Sequence, residues 1–233
     1  MLSDARLVVE IPRGNPIEVG QEIPVNFTIQ RLDGTPVDTW DMPIKIGLRG
    51  GDATLSPESL IFKNGRATAS IKTGTKPATV SLYMKETGLG KIVGESFEIL
   101  SGTPARISLT SPETLFARTG ARGVLTTRVY DTYGNLTTLH GHTLVATADK
   151  TQLIQPLVSP REISTGIYEM DITSLGNPGR ILFRAWLEKD GKKSPITLLE
   201  NVSETNALPV ITSEEASQNR WQNLTQVLLG APF

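Results

Sequence analysis

The sequence predicts an all-β protein with two tandem β-sandwich domains and a short C-terminal helix. Three observations lead to this prediction. Apolar and polar residues alternate along most of the chain, turn-forming residues interrupt the alternation at short intervals, and the pattern of the first half returns in the second. The length of 233 residues also fits two domains of about 100 residues each.

The first domain is predicted over residues 5–100. Its alternation is clearest at 23–30, where Val25, Phe27 and Ile29 share one face of a strand. About seven strands in about 100 residues are typical of an immunoglobulin-like sandwich. The predicted strands are 6–11, 23–30, 44–48, 60–63, 67–72, 79–85 and 91–100.

A linker is predicted at 101–104, because Gly102 and Pro104 interrupt the strand pattern there. The pattern then restarts, which predicts a second immunoglobulin-like domain over 105–203. Its predicted strands are 105–109, 123–130, 143–148, 152–158, 166–172, 180–187 and 196–202.

The two domains are predicted to be copies of one another. At an offset of 100 residues, Leu7 matches Ile107 and Gly34 matches Gly134. Further along the offset becomes 101, and Gly65, Ala69 and Ile71 match Gly166, Met170 and Ile172. A register that holds over several strands indicates a repeat of whole domains.

The last segment, 204–233, is predicted to be helical. Thr212 and Glu215 have the spacing of a capping box, and Trp221, Leu224 and Leu228 then form a helical apolar stripe. The chain stops directly after this apolar run, and its first residues do not have the pattern of a signal peptide. Both features predict that the chain is part of a longer protein.

Composition excludes several functions. The formal net charge is −1, whereas nucleic-acid binders carry a basic excess, so no nucleic-acid partner is expected. No apolar stretch is long enough to span a bilayer, so no membrane insertion is expected in this segment. The chain has no cysteine, which excludes thiol nucleophiles, cysteine-bound zinc and disulfides. A cysteine-free sandwich favours a bacterial origin.

A motif in each half resembles a known family. Residues 129–135 read Val-Tyr-Asp-Thr-Tyr-Gly-Asn and resemble the V-x-D-x-x-G-N turn of bacterial immunoglobulin-like domains of the invasin/intimin type, and more loosely filamin repeats. The first half carries a degenerate version at Asp33 and Gly34, followed by a strand entry at Asn64 and Gly65. The resemblance implies a spacer or adhesive stalk, or a domain appended to a surface enzyme. It implies no catalytic residues.

Candidate metal ligands are His140, His142 and Asp131. The two histidines are the only ones in the chain, and in a strand their spacing would place both on one side, where they could bind a divalent metal. Two loop histidines are the alternative. Asp131 could help to bind calcium, or could bond the backbone of its own turn. No cofactor is expected.

Other candidate residues have structural alternatives. Two carboxylate pairs, Asp38 with Asp41 and Glu214 with Glu215, could serve glycoside hydrolysis, or could form a turn and a helix start. Trp40 could be a platform for a sugar ring, or could cap one end of the sandwich.

The sequence therefore predicts a non-enzymatic structural or adhesion module of a larger bacterial cell-surface or secreted protein. Its partner would be an unidentified protein, a glycan, or an adjacent domain of the same polypeptide. The alternative is an accessory carbohydrate-binding segment of a surface hydrolase, which would present exposed aromatic residues in a row on one sandwich face.

Overall fold

Apolar and polar side chains alternate along the strands in both halves of the chain. In a computed structural model the chain forms two compact units, Met1–Gly102 and Thr103–Phe233. The division falls inside the segment 101–104, where a linker is predicted. The predicted all-β class, with two immunoglobulin-like sandwiches and one short helix, is confirmed. The structure describes residues 5–11, 16–40, 42–85, 91–93, 96–193, 204–212 and 214–218.

The first unit is a sandwich of two sheets. One sheet has the strand order β4-β6-β2-β1-β8 and the other β5-β3-β7-β9. The strands are β1 (Ala5–Glu10), β2 (Glu22–Arg31), β3 (Ile44–Arg49), β4 (Thr54–Ser56), β5 (Ser59–Leu60), β6 (Arg66–Lys72), β7 (Ala78–Met84), β8 (Lys91–Val93) and β9 (Ser96–Ile99).

The core of the first unit lies between its sheets and is built from alternate residues of each strand. Phe27 and Ile29 of β2 are fully buried, as are Leu7 of β1 and Ile46 of β3. Trp40 joins this core with 8% of its surface exposed, and its indole Nε1 donates a hydrogen bond to the Met42 carbonyl at 2.8 Å. The loop before β3 therefore contributes a large apolar side chain to the sandwich.

The second unit repeats this architecture. Its sheets have the orders β10-β12-β15-β14 and β11-β18-β16-β13, and β17 pairs with β16. The strands are β10 (Arg106–Thr110), β11 (Leu115–Phe116), β12 (Arg122–Tyr130), β13 (Thr143–Ala148), β14 (Arg161–Ser164), β15 (Ile167–Thr173), β16 (Gly179–Lys189), β17 (Lys192–Lys193) and β18 (Glu204–Ile211).

The same turn follows β2 in the first unit and β12 in the second. The amide of Arg31 donates to the Thr35 carbonyl at 2.8 Å, and the amide of Asp131 donates to the Asn135 carbonyl at 2.9 Å. These pairs are offset by 100 residues. The turn is closed by backbone bonds in both copies, although the side chains differ.

A glycine docks against the same strand in each unit. The amide of Ile29 donates to the Gly65 carbonyl at 2.9 Å, and the amide of Val129 donates to the Gly166 carbonyl at 2.8 Å. Both glycines have a positive φ, of 68° and 71°. The predicted offset of 101 residues in this part of the chain is therefore present in the backbone hydrogen bonds.

Two sequence-based assignments were wrong. The predicted helical segment 204–233 begins with β18, in which Leu208 and Val210 are buried on either side of Pro209. The predicted strand 152–158 does not form, because Pro156 lacks an amide hydrogen and the adjacent residues Leu153 and Ile154 are both buried, which breaks the two-residue alternation.

The C-terminal helix begins as predicted but is described only over 214–218. The Glu215 carboxylate accepts hydrogen bonds from the Thr212 amide at 2.7 Å and the Thr212 hydroxyl at 3.1 Å, which is the expected capping box. The apolar stripe from Trp221 to Leu228 and the predicted strand 196–202 lie outside the described residues. The described residues contain no helix with the length and hydrophobicity of a membrane span.

Replacing Thr127 with valine should stabilise the second domain by about 1 kcal/mol. Thr127 is fully buried in β12, and its hydroxyl has no hydrogen-bond partner among the described residues. Valine has the same shape without the desolvated hydroxyl. Urea unfolding of the second-domain transition measures the effect, with Thr126→Val on the outer face as the matched control. Equal changes in the free energy of unfolding of the two variants would contradict the prediction that the buried Thr127 hydroxyl is destabilising.

Candidate functional site

The Asp131 carboxylate organises the turn that carries the family resemblance. It is 3% exposed, and its Oδ1 accepts hydrogen bonds from the amides of Tyr133 and Asn135, both at 2.9 Å. Its Oδ2 accepts a third from the Asn135 side-chain amide at 2.9 Å. Both carboxylate oxygens therefore accept hydrogen bonds from the turn itself. This agrees with the alternative in which Asp131 bonds the backbone of its own turn.

The two histidines lie in the turn that leads into β13. His140 has a φ of 46°, and the neighbouring Gly141 has a φ of 78°, so the chain reverses here and the alternation of a strand does not apply. The ring of His140 lies within 3.1 Å of the Thr137 hydroxyl through Nε2. His142 donates from Nδ1 to the Leu139 carbonyl at 2.8 Å.

Within the described ranges, no group of three histidine, aspartate or glutamate side chains is placed to hold a metal ion. Each of the three predicted ligands, Asp131, His140 and His142, is hydrogen-bonded within its own turn. A metal role for these residues stays a prediction.

The predicted carboxylate pairs do not form a described catalytic site. Asp38 is exposed in a loop, and Asp41 lies outside the described residues. Glu214 and Glu215 begin the short helix, where Glu215 caps its first turn. Trp40 is buried and cannot serve as a flat platform for a sugar ring.

A lateral cleft of about 480 Å³ is the site that sequence reasoning missed. It opens in the second domain between β13 and residues 157–160, at the edge where the two sheets of the sandwich part. In the described part of the chain, no aspartate, glutamate, lysine or arginine lines it. Residues of both sheets line it, among them Leu144, Ala146, Leu157, Tyr168 and Met170.

Tyr168 is held at the cleft by a hydrogen bond. Only 4% of its surface is exposed, and its hydroxyl donates to Glu162 Oε1 at 3.0 Å. The same oxygen accepts the Gly166 amide at 3.2 Å. Burial and this contact with a carboxylate both raise the pKa of Tyr168 well above its ordinary value.

Replacing Tyr168 with phenylalanine should cost about 1 kcal/mol at pH 8, through loss of the hydrogen bond to Glu162. Above about pH 10 the unfolded tyrosine ionises while the folded one stays protonated, so the wild type loses stability as pH rises. The difference between the two proteins should therefore shrink at pH 11. Urea unfolding at both pH values measures it, and a difference that grows with pH would contradict the buried, protonated state.

A second cavity, of about 670 Å³, lies at one end of the second domain. It is lined by residues 116–121 and by Thr212, the first residue of the capping box. Phe116 contributes an exposed ring to it. This cavity adjoins the C-terminal segment.

Two solved bacterial structures have folds similar to that of this chain. FdeC, an adhesin of Escherichia coli, is 18% identical in sequence with a TM-score of 0.62, and the match covers 90% of this chain and 64% of the FdeC chain. The chain has an immunoglobulin-like sandwich fold. Yersinia pseudotuberculosis InvD is 17% identical with a TM-score of 0.54, and the match covers 90% of this chain and 58% of InvD.

The predicted resemblance to invasin/intimin-type domains is confirmed at the level of the fold. No protein-family model and no curated protein matches the chain in sequence. The chain spans less than two thirds of either similar structure, so what those whole proteins bind belongs to them.

Proposed function

We propose that the chain is a non-enzymatic structural or adhesion module of a larger bacterial cell-surface or secreted protein. The observation that carries this proposal is the likeness to FdeC, which extends over 90% of the chain and therefore over both domains. The polar groups of the turn after β12 also support it, since Asp131 and Asn135 are engaged in shaping the backbone.

The carbohydrate-binding alternative has less support. Of the large exposed apolar side chains in the described residues, Phe116 and Tyr133 are the aromatic ones, and they belong to a short strand and a turn. Trp40, the aromatic residue with the best loop position, is buried. A row of aromatic rings on a sandwich face would favour sugar binding.

The experiment for the proposed function is surface labelling. An antibody against the purified chain should label intact cells of the source bacterium, whereas an antibody against a cytosolic protein should label them only after permeabilisation. Labelling confined to permeabilised cells would refute the surface role.

The same purified chain should neither bind a glycan array nor hydrolyse nitrophenyl glycosides or esters. Saturable binding to one glycan class would favour the carbohydrate-binding alternative, and turnover would refute the non-enzymatic role. A catalytically active glycosidase treated identically is the positive control.

A further inference from the structure

We propose that β13 is a docking edge for an extended strand of a partner polypeptide, seated where β5 lies in the first domain. This inference rests on the proposed function and names the surface that a partner would use. It follows from comparing the two copies of the domain, one of which contains the covering strand.

The strands β3 and β13 are equivalent. β3 follows the turn after β2, and β13 follows the matching turn after β12. In the sheets, β3 pairs with β7, which also pairs with β9, and β13 pairs with β16, which also pairs with β18. The pairs Ile46–Met84 and Ala146–Ala185 occupy corresponding register positions, offset by 100 and 101 residues.

In the first domain β5 covers the outer edge of β3. Ile44 pairs with Leu60, and the amide of Ile46 donates to the Glu58 carbonyl at 2.8 Å. Leu60 is 1% exposed and belongs to the core. The repeat therefore shows what occupies this edge: an antiparallel strand that contributes an apolar side chain.

In the second domain the chain takes a different path. After β13 it crosses to the opposite sheet, where Ile154 bridges Ser174 and the Gln155 amide donates to the Thr173 carbonyl at 2.8 Å. It then forms β14 against β15. Among the described strands, β13 is consequently the last of its sheet, and the Ala146 amide, equivalent to that of Ile46, faces the outer edge.

The side chains at this edge determine the chemistry of the occupant. β13 reads Thr-Leu-Val-Ala-Thr-Ala and has no charged residue or proline, although exposed edge strands usually carry such residues to prevent pairing. Ala146 and Ala148 stand where β3 has Ile46 and Leu48, and Ala146 lines the cleft of about 480 Å³. An uncharged strand with apolar residues at alternate positions complements this surface.

A second copy of the chain complements the cleft less well. It would offer β13 itself, whose inward residues after Leu144 are the alanines Ala146 and Ala148. Methyl groups are too small to fill a space that Leu60 and its neighbours fill in the first domain. The occupant is therefore a strand of another polypeptide.

The test uses the whole chain and a fluorescent ten-residue peptide that alternates threonine with leucine or valine. The peptide should bind saturably in fluorescence anisotropy and slow amide exchange at Ala146 at least tenfold. A peptide of the same sequence with backbone N-methylation along one edge should not bind. Ala146→Pro should weaken binding at least tenfold, while Thr147→Ser, at an exposed position of β13 that does not line the cleft, should not.

Disulfide trapping keeps the test decisive if Ala146→Pro unfolds the domain. The chain has no cysteine, so Val145→Cys introduces a single thiol. In the first domain the equivalent Lys45 pairs with Ser59, and both are exposed. A peptide with cysteine at an outward position should therefore be captured at least ten times faster by Val145→Cys than by Thr35→Cys in an exposed turn.

Several results would overturn the inference. These are no binding of the peptide, equal capture at the two cysteines, or slow exchange at Ala146 in the free monomer, which would show that the chain covers its own edge. A dimer that is lost in Ala146→Pro would assign the edge to a second copy. Surface labelling is independent of the peptide, so a positive label without peptide binding would refute this inference alone.

Discussion

Replacing Gly65 with alanine is expected to destabilise the first domain by about 4 kcal/mol. Gly65 has a φ of 68°, which is costly for a residue with a Cβ. A Cβ at this position would also overlap the backbone carbonyl oxygen of Val37, which belongs to the turn after β2. The backbone would have to move, and the hydrogen bond from Ile29 to Gly65 would be lost.

Chemical denaturation followed by fluorescence or circular dichroism measures this loss. Gly34→Ala is the matched control, because Gly34 also has a positive φ, of 90°, but beyond its two chain neighbours no atom lies within 4 Å of the position that a Cβ would take. Its cost should be about 1 kcal/mol, from the backbone conformation alone. If both variants lose the same stability, the close approach of Gly65 to Val37 contributes nothing.

Replacing Asp131 with alanine is expected to destabilise the second domain by about 3 kcal/mol. The substitution leaves the amides of Tyr133 and Asn135 without their acceptor in a turn where Asp131 itself is buried. Asp131→Asn should also be destabilising, because its amide nitrogen cannot accept a hydrogen bond from Asn135 Nδ2. Denaturation of the second-domain transition measures both variants.

Asp33→Ala is the control in the first domain. Asp33 is exposed, and hydrogen bonds from the amide and hydroxyl of Thr35 lower its pKa. Water can replace an exposed carboxylate as the acceptor of these hydrogen bonds at little cost in free energy. This variant should therefore change stability far less than Asp131→Ala. Calcium added at millimolar concentration should leave the stability ranking unchanged. A large calcium-dependent gain in the wild type alone would instead support the metal role of Asp131.

Local sequence patterns were sufficient for the sandwich fold. Val25, Phe27 and Ile29 alternate with polar residues, and all three are fully buried in β2. A strand with one buried face has a side-chain period of two, so its facing residues can be read directly from the sequence. The repeat offset is equally visible, because turn glycines such as Gly34 and Gly134 are required by local backbone conformation.

Alternation failed where tertiary contacts override it. Leu208 and Val210 flank Pro209 in a segment that the sequence predicts to be helical, yet β18 pairs with β16 along most of its length. The segment 152–158 instead crosses from one sheet to the other, and Leu153 and Ile154 are both buried in it. Burial in these segments depends on which strand lies alongside, and that information is not local.

The sequence alone determined most of the strands, the duplication and the absence of cysteine chemistry, because these depend on residue type and on spacing. Only the tertiary structure decided that Asp131 and the two histidines are engaged by their own turns, and that β13 is the last described strand of its sheet. β13 takes this place because Ile154 and Gln155 bond to the other sheet, whereas the first domain returns β5 to β3. Strand pairing between distant segments is set by the packing of the whole domain.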